Sequence, residues 1–181
     1  MKQIFLLQAT IALCISVAAT ANAQAVAKDE FTITNGSPAV RSVQAQATRN
    51  VAEYNLQASV GLKGYDPVSY FPEGGGLPQA GIQNLKLDYM GVSYFFATTQ
   101  NLDLFVQNPD RYEPTYGGWC AYAMASGSKV DIQPMIYSIN ENRLHFFVSK
   151  RAKQNFDADV AGHETRADGF WKQISGEEPR N

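Results

Sequence analysis

The sequence predicts an α+β domain in which small antiparallel hairpins pack with short helices. Two pairs of β-prone runs sit on either side of tight turns, apolar helical faces are short, and no βαβ alternation of the kind a parallel sheet needs is present. With 181 residues, 45% hydrophobic and 18% charged, the size and balance are those of one domain. The 14 glycines and 8 prolines exclude a long coiled coil, and 12% aromatic residues supply bulky core anchors. Lys+Arg at 15 against Asp+Glu at 17 leaves a net charge of -2, so no basic field exists to gather nucleic acid.

Taken in order, Met1 to Ala23 begins with one cation, Lys2, runs through an apolar stretch, and closes on Ala21-Asn22-Ala23. That is the small-x-small pattern of a secretory signal peptide cleaved after Ala23, without the twin-arginine pair of the folded-protein route. The expectation is export by the general secretory route to the periplasm or the exterior, with no transmembrane anchor after cleavage. Cys14 leaves with the signal, so a disulfide framework is not expected and Cys120 is the solitary thiol. Residues 24–57 form an Ala-, Gln-, Thr- and Ser-rich extension with a turn at Asn35-Gly36-Ser37-Pro38, which also fits a glycosylation sequon. Val40, Val43, Ala47 and Val51 recur at spacings of three and four and predict a thin-faced helix over Arg41 to Glu53.

The domain itself is expected over 58–176, with a tail at 177–181. Glycines and prolines from Gly61 to Pro78 punctuate a loop-rich start around Val68-Ser69-Tyr70-Phe71. Leu85, Leu87 and Tyr89 alternate with polar residues and turn at Met90-Gly91 into Val92 to Ala97, a hairpin. Thr98 or Thr99 caps a helix carrying Leu102, Phe105 and Val106, which Asn108-Pro109 stops. Trp119 to Ser126 reads as a short helix ended by Gly127. Met135 to Ile139 and Leu144 to Val148 flank a turn and make a second hairpin. Ser149 to Asp159 and Glu164 to Ile174 are helical, with Ala152, Phe156, Phe170 and Trp171 as core contacts and His163 in a solvated loop between them.

The ordered series Gly64-Tyr65-Asp66-Pro67-Val68-Ser69-Tyr70-Phe71, Gly91 with Tyr94-Phe95-Phe96-Ala97, Phe105 with Asn108-Pro109 and Tyr112, and Tyr116-Gly117-Gly118-Trp119-Cys120-Ala121 resembles exported proteins of the YHS-domain family. The resemblance runs from about Asn55 to Trp171. It implies a metal-associated scaffold, since short modules of the family carry cysteines after Asp-Pro-Val and after the aromatic strand. Here those places hold Ser69 and the stretch from Ala97 to Gln100, so that thiolate set does not carry over.

Cys120 is the side chain of most chemical interest in the sequence. Two residues into a helix behind Gly117-Gly118 it would be a stabilised thiolate, and otherwise it is a small buried hydrophobe. Met124 follows four residues later on the same helical face. A thiolate and a thioether suit a soft ion such as copper, with His145 or His163 completing the set; zinc is the other candidate, although no C-x-x-C or H-x-x-x-H pair supports a structural zinc site. The metal set so read is Cys120, Met124 and His145, with a histidine replacing an aromatic in its strand as the simpler account of His145. Asp66 before Pro67 closes an Asx turn, and Tyr65, Tyr70, Tyr94, Tyr112, Tyr116 and Tyr122 line either a pocket or the core.

No G-x-S-x-G elbow, P-loop, G-x-G-x-x-G or H-E-x-x-H occurs, and no catalytic residue is assigned. Three functions follow. The first is a monomeric, non-enzymatic binding domain for a small molecule or metal ion. The second is a thiol-based redox enzyme or sensor using Cys120. The third is a structural or interaction module without a ligand, docking through the aromatic surface from Tyr65 to Phe71.

Overall fold

Two antiparallel hairpins are joined by short helices, as the alternation and turn chemistry require. The computed structural model describes residues 40–43 and 49–180; the expected signal sequence, Cys14 and the expected turn at Asn35-Gly36-Ser37 lie outside them. Strands β2 (Ile82–Tyr89) and β3 (Val92–Phe96) pair antiparallel through Met90-Gly91, both at positive φ (47° and 84°), the turn geometry that matches strand twist. Strands β4 (Gln133–Asn140) and β5 (Arg143–Phe147) repeat the device at Glu141-Asn142, with φ of 49° and 76°.

The expected helix over Arg41 to Glu53 is corrected. Val40–Val43 is a strand, β1, added parallel to β2 with Val40 opposite Lys86 and Val43 opposite Tyr89, and Val51–Glu53 is a single 3-10 turn. A thin apolar stripe gives a helix little to bury, whereas the open edge of β2 offers a full row of backbone partners. Ala47 lies outside the described residues.

Helix α1 (Thr99–Gln107) starts where predicted, the Thr98 hydroxyl accepting from Asn101 N at 3.1 Å. Asn108 ends it, and Pro109 opens α2 (Pro109–Tyr112). Phe105 from α1 sits among Tyr89, Tyr94, Phe96 and Tyr112, binding helix to sheet. Helices α4 (Lys150–Asp157) and α5 (Val160–Ser175) are capped by Ser149 and Asp159. Because the Asp159 cap starts α5 early, His163 is helical and half-buried, not in a loop. Trp171, Phe156 and Ala152 are in the core as expected, but Phe170 is 37% exposed, since the face of α5 that meets the core is occupied by Ala167 and Trp171. Between the hairpins, α3 (Ala121–Met124) packs against β5, α4 and α5. No helix among the described residues is long and apolar enough to cross a membrane.

Candidate functional site

Strand β5 organises the site. A strand alternates its faces, so Arg143, His145 and Phe147 project to one side and Leu144 and Phe146 to the other. On the first side α4 supplies Phe156, whose ring lies 5.0 Å from His145 and 5.3 Å from Phe147. Tyr116 stacks on the imidazole at 5.6 Å. Helix α5 presents Glu164 and Asp168, four residues apart and therefore on one face.

These side chains form one network. His145 Nε2 lies 2.7 Å from Glu164 Oε1, and Glu164 Oε2 lies 3.3 Å from an Arg143 nitrogen. Arg143 donates to Asp168 Oδ1 at 2.6 Å, and the Tyr116 hydroxyl donates to the same oxygen at 2.8 Å. His145 is 1% exposed, and its Nδ1 is buried with no hydrogen-bond partner; Arg143 Nε is in the same position. Burial holds the His145 imidazole below its ordinary pKa, against the pull of Glu164. Burial opposes the charge of Glu164, yet His145 and Arg143 keep it below the usual carboxylate value. Burial pushes the Tyr116 hydroxyl well up, so it acts as a neutral donor.

Cys120 is completely buried and in no disulfide. It does not lie inside a helix, as the sequence suggested, but is the extended residue before α3 (φ -61°, ψ 116°). Gly117 and Gly118 at φ 58° and 86° turn the chain there, a Cβ on Gly117 would come within 2.6 Å of Trp171, and Cys120 N donates to Val130 O. The four residues of α3 provide no dipole of consequence for a thiolate, and a buried sulfur lacks the access a nucleophile needs. Met124, also fully buried, donates its N–H to Cys120 O at 2.9 Å, so the two residues share one turn of chain. Cys120 is the bridge partner of Phe146, which the pleat turns away from His145. Among the described residues, no three of His, Cys, Asp and Glu gather as a metal-holding group, which does not fit structural zinc.

His163 stands apart, its Nδ1 2.7 Å from Asp159 O and its ring 5.2 Å from Tyr122. Asp66 makes the predicted Asx turn, Oδ1 accepting from Val68 N at 2.8 Å. Val68, Tyr70 and Phe71 are core residues, so the run from Tyr65 to Phe71 is not an exposed docking surface. Four of the six tyrosines weighed above, Tyr70, Tyr94, Tyr112 and Tyr116, are buried in that core, while Tyr65 and Tyr122 are partly covered.

Arg143, Glu164 and Asp168 were not singled out from sequence. The signal was present, because Arg143 is two residues from His145 on a strand and Glu164 and Asp168 are one helical turn apart. Only packing showed that strand and helix face each other.

Residues 79–116 match the family model of the YHS domain. The chain thus contains a segment similar to the YHS domain. The match spans β2, β3, α1 and α2 and stops at Tyr116, so of the network only the tyrosine belongs to the matched segment, and Cys120, Met124 and His145 follow it in the chain. No curated protein and no solved structure matches the chain.

Proposed function

We propose that this chain is an exported, non-enzymatic binding protein whose small ligand is a soft metal ion such as copper. The observation that carries the reading is His145 Nδ1, a buried ring nitrogen without a partner in an imidazole backed by a carboxylate through its other nitrogen. Histidines that ligate metals are commonly held in that way. His145 is then the leading ligand. Cys120 is turned to the other face of β5 with Phe146, so the sulfur donor whose softness favours copper is the thioether of Met124, from the short helix packed against the same strand. When bound, the ion supplies soft Lewis acidity; the protein's part is to orient the imidazole and to exclude water with Tyr116 and Phe156. Export is supported by the pattern from Lys2 to Ala23, which sets the mature N-terminus at Gln24.

The test is an anaerobic Cu(I) titration against a competing chelator, using the exported chain with its N-terminus verified by mass. One equivalent is expected to bind, His145→Phe to weaken binding most, Met124→Leu to weaken it by about tenfold or more, and Cys120→Ser, on the other face of β5, to leave it unchanged. Weak binding that is equal in the wild type, His145→Phe and Met124→Leu overturns the reading.

A further inference from the structure

We propose that Glu164 is the positioning residue that fixes His145 as its Nε2–H tautomer and so makes Nδ1 the ligating atom; the ligation half of this rests on the metal reading above. A carboxylate can only accept hydrogen bonds, and Glu164 is kept a carboxylate by Arg143, 3.3 Å away. The ring nitrogen 2.7 Å from Glu164 Oε1 must therefore carry the proton. The other tautomer is penalised twice. It would oppose the Nε2 lone pair to a carboxylate oxygen, and it would bury an Nδ1–H that has no acceptor.

What stands behind Glu164 makes the device rigid. Arg143 bonds Asp168 Oδ1 at 2.6 Å and lies 5.8 Å from the centre of the Tyr116 ring, whose hydroxyl donates to the same oxygen at 2.8 Å. Tyr116 in turn stacks on His145 at 5.6 Å, closing a loop of contacts from β5 through α5 and back. Neither Glu164 nor Arg143 is free to reorient without breaking a second interaction, so the tautomer is set before any ligand arrives.

The experiment is a long-range proton–nitrogen correlation spectrum of the histidine-labelled exported chain, metal-free in chelator at neutral pH. The wild type is expected to show His145 as one tautomer, protonated at Nε2 and bare at Nδ1. Glu164→Gln, whose amide can donate or accept, is expected to show both tautomers, and Glu164→Asp to restore the single one. An Nδ1–H tautomer in the wild type, or an unchanged tautomer in folded Glu164→Gln, overturns the proposal; the wild-type measurement decides even if the variant does not fold. In the Cu(I) titration Glu164→Gln is expected to lose about 10- to 100-fold in affinity. A wild type with the expected tautomer that binds no copper overturns the metal reading alone.

Discussion

Asp66 meets four N–H donors with one fully buried carboxylate. Its Oδ1 accepts from Val68 N at 2.8 Å and Ser69 N at 3.3 Å, and its Oδ2 from Ala97 N at 2.8 Å and Asn101 Nδ2 at 2.7 Å. The first pair closes the local turn, while the second joins that turn to the end of β3 and the start of α1. Burial pushes the carboxyl above its ordinary value, and the donors pull against it. Removing the acceptor strands several buried donors at once, each costing about 1–3 kcal/mol. Asp66→Ala is therefore expected to lose more than about 3 kcal/mol in urea unfolding; a loss near zero would show that water replaces the carboxylate freely. The same reasoning separates His145 from Asp66. Both are buried and polar, but every oxygen of Asp66 is satisfied and His145 Nδ1 is not.

Between Phe71 and β2 the chain crosses the surface as a 3-10 turn, Pro72–Gly74, and a glycine-rich loop. Gly74 passes so close to Val68 that a Cβ would lie 2.1 Å from its carbonyl oxygen, which explains the smallest residue there. Glu73 tethers this element to α2, accepting from Arg111 Nε at 2.8 Å and from the Tyr112 hydroxyl at 3.0 Å. Burial opposes the charge of Glu73, yet its hydrogen bonds, those from Arg111 and Tyr112 among them, together hold its pKa below the ordinary value. The folded carboxyl thus binds its proton less readily than the unfolded one. Its stabilisation is present above about pH 4.3 and is lost as the pH falls through the folded value. The pair is about one-third exposed, so solvent screening keeps it under about 1 kcal/mol. Glu73→Gln is expected to lose that amount at pH 7 and progressively less as the pH is lowered below about 4.3 in parallel urea titrations, and a loss that does not change with pH would refute the ion pair as the cause.

Segments remote in sequence meet at Glu113. Arg49 donates two 2.7 Å bonds to it, Arg180 a third at 3.0 Å, and the Tyr94 hydroxyl a fourth at 2.8 Å. Arg49 also packs over Tyr54 and Tyr89, and Glu177 accepts from the Tyr54 hydroxyl at 2.6 Å. Burial opposes the charge of Arg49, but Glu113 more than offsets it and raises the guanidinium's pKa. Residues just before the domain and just after α5 are thereby held to its middle. Removing one partner of such a buried pair costs about 3–5 kcal/mol, because a desolvated charge is left behind. Glu113→Ala is expected to lose that much and to release the residues around Arg49 and Arg180 to faster amide exchange. Unchanged protection at both ends would show that they are held by other contacts.

Hairpins, caps and the Asx turn at Asp66 were legible in the sequence because each depends on residues within a few positions: alternating faces, a Thr or Ser before a helix, a carboxylate before Pro67. Cys120, Met124 and His145 could be named for the same reason, since side-chain chemistry is local. The strand at Val40–Val43 was not legible, because its partner is 46 residues away and pairing with an open sheet edge overrode the weak helical spacing. Nor could the sequence choose between a thiol and an imidazole site. Tertiary packing decided that by sealing Cys120 beside Phe146 and by bringing α5 against β5, where Glu164 claims one ring nitrogen of His145 and the low-dielectric surroundings leave the other without a partner.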